Sequence, residues 1–177
     1  ALILIAGIFW ILPHLFSDKE QVEMPVQTAA EIPYEQENLV VVTANSSWLY
    51  KEPRRGAVRV AELLFNEGLE LIDASDERYL RVNTQNGLQG YILRTDVSAD
   101  ASGLDPRQAL LKIIIITSSK DIMSHTQGGT VLAQAPLGSV LYADYQDSQV
   151  LRIRLPQGVK GWISKHDVFI MEPEQNL

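Results

Sequence analysis

The chain has 177 residues, of which 46% are apolar, 21% charged and 7% aromatic, a composition that folds into one ordinary domain or two small ones. Its 22 acids against 15 bases give a formal charge of −7, with no strongly basic stretch, which argues against generic nucleic-acid binding. There is no cysteine, and the three histidines (His14, His125 and His166) are far apart, so disulfides, thiol nucleophiles and thiolate metal sites are excluded and no metal or cofactor is expected.

Residues 1–16 (ALILIAGIFWILPHLF) carry no charge and are apolar apart from Gly7, Pro13 and His14. A helix of this length reaches about 24 Å, short of the roughly 30 Å hydrocarbon core, but the chain opens on Ala1 rather than methionine, and upstream residues would lengthen the span. The run reads as a retained transmembrane anchor presenting Ile3, Ile5, Phe9, Trp10 and Leu12. A buried core helix and a cleaved signal peptide are the rival readings, although Leu15-Phe16-Ser17 makes a poor cleavage site. Lys19 is the one base in the C-terminal flank, so the positive-inside rule places the N-terminus in the cytoplasm. The expected location is therefore a bacterial inner membrane, crossed once, with the folded body in the periplasm. His14 reads as an interfacial residue at the helix end; ligation of a haem or chlorophyll-type metal would need a partner the sequence does not show.

Residues 17–37 form an acidic linker. Asp18, Glu20, Glu23, Glu31, Glu35 and Glu37 face the single Lys19 there, and such a charge run is solvated.

The rest of the chain repeats itself. Gly87-Leu-Gln-Gly-Tyr-Ile-Leu-Arg-Thr-Asp-Val97 and Gly158-Val-Lys-Gly-Trp-Ile-Ser-Lys-His-Asp-Val168 share G-x-x-G-[aromatic]-I-x-[basic]-x-D-V at an offset of 71. Upstream, Arg78–Val82 aligns with Gln149–Ile153, and Gly68–Leu71 with Gly138–Leu141. An internal repeat at this spacing points to two copies of one supersecondary unit. Each copy alternates polar and apolar residues in short runs, with Asn86-Gly87 and Gln157-Gly158 as turn signals. About five short strands per copy predict two small barrels over 38–100 and 111–172. Between them, 101–110 reads as a short linker in which Asp105 caps a helical turn opened by Pro106; residues 173–177 are a tail. The fold class expected is thus all-β, two small SH3-like barrels in tandem behind one N-terminal transmembrane helix.

At these motifs the sequence resembles the bacterial SH3 family. Glu52-Pro53, Gly68–Leu71, Tyr79–Val82 and Gly87–Ile92 carry the likeness in the first copy; Gly138–Leu141 and Gly158–Ile163 carry it in the second. Tyr79 and Val150 stand where that family usually has tryptophan. The resemblance implies a binding role, and peptidoglycan as one possible ligand.

No catalytic constellation is visible: there is no H-E-x-x-H, phosphate loop or nucleophile elbow. The acidic groups Asp73, Asp76, Glu77 and Asp144, Asp147 fall at equivalent turns and read as solvated turn residues. The strongest interaction candidate is the segment holding Trp48, Tyr50, Lys51, Arg54, Arg55 and Arg59, since aromatic and arginine side chains together stack on and hydrogen-bond to partners. Against this stands the reading that Trp48 or Leu49 fills the barrel while the bases are solvated. The function expected is a non-enzymatic, membrane-anchored accessory subunit docked on a larger integral membrane complex, with that complex's subunits and the lipid bilayer as partners. The alternative is an inner-membrane-tethered protein that binds the cell wall.

Overall fold

The computed structural model describes residues 38–175. Two antiparallel sheets of seven strands each account for nearly all regular structure. The first holds β1 (Leu39–Val42), β2 (Ser46–Tyr50), β3 (Arg59–Leu64), β4 (Gly68–Asp73), β5 (Tyr79–Asn83), β6 (Gln89–Leu93) and β7 (Val97–Ser98). The second holds β8 (Leu111–Ile115), β9 (Ser119–Met123), β10 (Val131–Pro136), β11 (Val140–Gln146), β12 (Val150–Arg154), β13 (Lys160–Ser164) and β14 (Val168–Met171). The strand orders are β3-β2-β6-β5-β4-β1-β7 and β10-β9-β13-β12-β11-β8-β14, so the same path is traced twice.

Side chains alternate across each strand. On the inner face of the first sheet Val40, Val42, Leu49, Leu63, Leu69, Leu80, Val82 and Ile92 close one core. On the second, Ile113, Ile115, Ile122, Ala135, Leu141, Leu151, Ile153 and Ile163 close another. Leu49 and Ile122 hold corresponding places, and both are fully buried.

Gly90 and Gly161 sit where each sheet folds over these two side chains. A Cβ on Gly90 would lie 2.6 Å from Leu49 Cγ and 2.7 Å from the Tyr50 carbonyl oxygen; one on Gly161 would collide with the Ile122 side chain. The repeated glycine is therefore a close-approach requirement.

The two sheets meet through the β3–β4 turn. Phe65 is buried in the second sheet's core although it belongs to the first unit's sequence. Asn66 follows in the left-handed region at φ 65°, a conformation asparagine tolerates better than most side chains, and its Nδ2 donates to the Val140 carbonyl at 2.8 Å. Opposite, Arg154 donates to the carbonyls of Ser102 (2.6 Å) and Asp105 (3.0 Å). The linker contains two 3-10 turns, Ser102–Leu104 and Pro106–Gln108, rather than an α-helix. Asp105, buried, accepts from the Arg107 amide and guanidinium, which closes the second turn.

The chain is all-β in its described part, but the fold expected from sequence needs correction in two respects. Each unit has seven strands rather than about five. No helix among the described residues is long and apolar enough to cross a membrane. The anchor residues Ile3, Ile5, Phe9, Trp10 and Leu12, with His14 and the acidic linker, lie outside the described residues. The single-pass inner-membrane assignment and the periplasmic placement built on it are withdrawn.

Candidate binding face

Strand alternation that buries Leu49, Leu80 and Ile92 turns Tyr50, Arg81 and Tyr91 to the opposite, outer face. The strand registers then set them in line: Arg59 opposes Tyr50, Tyr50 opposes Tyr91, Tyr91 opposes Arg81, and Arg81 opposes Asp73. The same row recurs on the second sheet as Val131, Met123, Trp162, Arg152 and Tyr145. Each row thus crosses five strands and carries an aromatic ring beside an arginine at its centre.

In both units the row is crossed by a seam. Tyr50–Tyr91 and Trp162–Met123 are the single register pairs joining β2 to β6 and β9 to β13. A groove opens beside the second of these seams, between β9 and β13. It has a volume of about 490 Å³ and is lined by Trp162, Met123, Asp121, Gln134, Ser164 and Asp167 among others.

The second row is held together by a charged and aromatic network. Tyr145 and Trp162 meet edge to face with centroids 5.9 Å apart. The Arg152 guanidinium carbon lies 5.4 Å from the Tyr145 centroid and 5.8 Å from that of Trp162, within cation–π range. Arg152 Nε donates to Asp144 Oδ1 at 2.7 Å, and Lys160 Nζ to Asp144 Oδ2 at 2.9 Å. Burial disfavours the charged form of the Asp144 carboxyl, but the hydrogen bonds and charges of Arg152 and Lys160 outweigh that and hold its pKa below the ordinary value.

A group depressed in the folded state contributes stability above its unfolded pKa and loses that contribution as pH falls through the folded one. We expect Asp144→Asn to lower the thermal midpoint at pH 7. The loss is at most about 1 kcal/mol, because the half-exposed Lys160 is screened by solvent. The gap between variant and wild type should narrow as pH falls below the ordinary carboxylate range, through the lowered folded-state pKa. A pH-independent gap in melting curves would contradict this assignment.

The residues singled out from sequence are split by the structure. Tyr50 and Arg59 lie in the first row, and Trp48 stands beside them with the Arg59 guanidinium 4.4 Å from its ring centroid. Leu49, not Trp48, fills the core. Arg54 and Arg55 line a different hollow with Asp76, Glu77 and Tyr79, and Arg54 pairs with Glu52 at 2.6 Å. Lys51 is exposed in the following turn, its amide donating to the Val58 carbonyl. Sequence reasoning missed Tyr91, Arg81 and the whole second row. The signal was present, since the repeat aligns Tyr91 with Trp162 and Arg81 with Arg152.

The acidic turns close local structure. Asp76 accepts from the Arg78 and Tyr79 amides, and Asp147 from those of Gln149 and Val150. These bonds lower both pKa values. Ser124 Oγ stands 2.9 Å from His125 Nδ1, but it also receives the Thr130 amide at 2.9 Å, as a loop anchor does. Among the described residues no three of His, Asp and Glu are grouped to hold a metal ion.

No family model matches the sequence, and neither does any curated protein. Solved structures do share the fold. A crystal structure of an NlpC/P60 family protein from Bacillus cereus is similar to this chain with a TM-score of 0.63 at 12% identity, over 76% of this chain and 56% of that one. An NlpC/P60 endopeptidase from Photobacterium damselae subsp. piscicida is similar with a TM-score of 0.50 at 14% identity, over 81% of this chain and 36% of that one. At such identities the likeness is one of fold, and the chain spans 56% and 36% of these proteins' lengths.

This comparison corrects the family assignment drawn from motifs. The neighbours are NlpC/P60 proteins rather than tandem bacterial SH3 proteins. The G-x-x-G-aromatic motif reports a packing need, the close approach of Gly90 to Leu49, which does not by itself define a family. The non-enzymatic accessory subunit of a membrane complex is withdrawn with it, because one neighbour sharing the fold is an endopeptidase.

Proposed function

We propose that this chain serves a cell-wall endopeptidase of the NlpC/P60 kind, and that its two β units hold the wall polymer while a peptide bond is hydrolysed. The fold likeness over 76% of the chain is the observation that carries this reading. The paired outer rows support it independently. Two equivalent aromatic–arginine rows on one chain suit a repetitive polymer, because a second weak contact on the same chain raises avidity through effective concentration.

The chemistry divides accordingly. Tyr50, Tyr91, Trp162 and Met123 offer apolar contact, while Arg59, Arg81, Asp121, Gln134 and Ser164 offer hydrogen bonds. Trp48 borders the first row through its contact with Arg59, whereas Arg54 and Arg55 line a separate hollow.

Sedimentation with purified bacterial sacculi tests the proposal. The full chain should co-sediment saturably with sacculi and stay in the supernatant with microcrystalline cellulose. Equal retention on both, or on neither, would overturn it.

A further inference from the structure

We infer that the groove beside Trp162 is a sugar-binding subsite, which takes the β-linked N-acetylhexosamine backbone of the wall rather than its peptides. The inference rests on the endopeptidase reading for the polymer, and on the groove itself for the part of the polymer it takes.

The lining sets the ligand chemistry. Trp162 and Met123 form an apolar patch, and Asp121, Gln134, Ser164 and Asp167 surround it with carboxylate, amide and hydroxyl groups. A pyranose ring matches this arrangement, because its C–H face packs on an aromatic ring while its rim of hydroxyls needs several hydrogen-bond partners.

Charge argues against an anionic ligand. Lys120 and His125 line the groove, and the Lys120 ammonium is already engaged by Ser164 Oγ at 2.8 Å and the His166 carbonyl at 2.6 Å. Arg152 and Lys160 nearby share the Asp144 carboxylate. What the groove offers is neutral or acceptor groups, which suit hydroxyls and acetamides.

Topology argues against an extended peptide. Peptides commonly bind such folds by adding a strand at a sheet edge, but β9 is flanked by β10 and β13, and β13 by β12 and β9. The groove therefore opens on an interior seam and recognises its ligand through side chains. The first unit has the same seam at Tyr50–Tyr91, but tyrosines replace the Trp162–Met123 pair there. The subsite belongs to the second unit.

Titration with chitotetraose, a β-1,4-linked N-acetylglucosamine tetramer, tests this. We expect saturable binding by isothermal calorimetry that Trp162→Ala weakens roughly tenfold or more, about 1.4 kcal/mol, and that Leu88→Ala, at an exposed position, leaves unchanged. Amide shifts in the wild-type NMR spectrum, which depend on no variant, should cluster at Met123, Trp162 and Ser164. No response at millimolar chitotetraose, or shifts confined to the first unit, would overturn the inference. Sacculus binding without chitotetraose binding overturns the sugar subsite and leaves the endopeptidase reading standing. Chitotetraose binding without sacculus binding does the reverse.

Discussion

Gly90→Ala should cost the first unit about 3 kcal/mol or more, at the upper end of what overpacking a core does. The new methyl would meet Leu49 Cγ at 2.6 Å, Leu49 Cδ1 at 3.0 Å and the Tyr50 carbonyl oxygen at 2.7 Å. Leu49 is fully buried and has nowhere to turn. The Tyr50 oxygen is backbone, so relief requires shifting β2 against β6 at their single register pair. Against a total stability of about 5–15 kcal/mol, this is a large fraction. Gly87→Ala is the control. Gly87 has φ 79° but open space around its Cβ position, so only backbone strain of about 1 kcal/mol is at stake. Urea unfolding midpoints should separate the two variants clearly, and equal midpoints would show that the packing argument is wrong.

Phe65→Ala should cost about 3–5 kcal/mol, and its effect should reach both units. The ring is encoded beside β3, yet it is packed in the core of the second sheet with Ile113, Ile115 and Leu141. Removing it opens a cavity there and strips an apolar tie between the sheets, leaving polar ties such as Asn66–Val140 and Asn45–Gln134 between them and the Arg154 bonds to the linker. Calorimetry should show one transition for the wild type and two for the variant. A variant that still melts in one transition, with an unchanged midpoint, would mean that Phe65 does not couple the units.

Much of the fold was legible because its causes are local. The G-x-x-G-aromatic-Ile segments mark β6 and β13 because a glycine must pass Leu49 or Ile122 and the next-but-one residue must enter the core. The short strands β7 and β14 were harder to read. β7 has two residues, and its pairing to β1 depends on the sheet having already curled. Phe65 was also illegible, because which core a turn residue enters is a property of the docked pair. In the site, the cluster of arginines after Tyr50 drew attention by composition. The row that carries the ring and guanidinium contacts is set by register, so Tyr91, Arg81, Trp162 and Arg152 become neighbours only once the strands are paired. The family assignment failed for a related reason: short glycine–aromatic motifs encode how a small sheet packs, and such packing is shared beyond one family.

The central claim is that the outer rows hold cell-wall polymer, and the most direct test is sacculus retention of a chain whose rows are blanked. Tyr91→Ser with Trp162→Ser removes the central ring from each row and leaves Leu49, Ile92, Ile122 and Ile163 in place, so circular dichroism should confirm that both sheets persist. The account predicts saturable binding by the wild type, reduced by roughly tenfold or more in the folded double variant. A folded double variant retained as tightly as the wild type would contradict it.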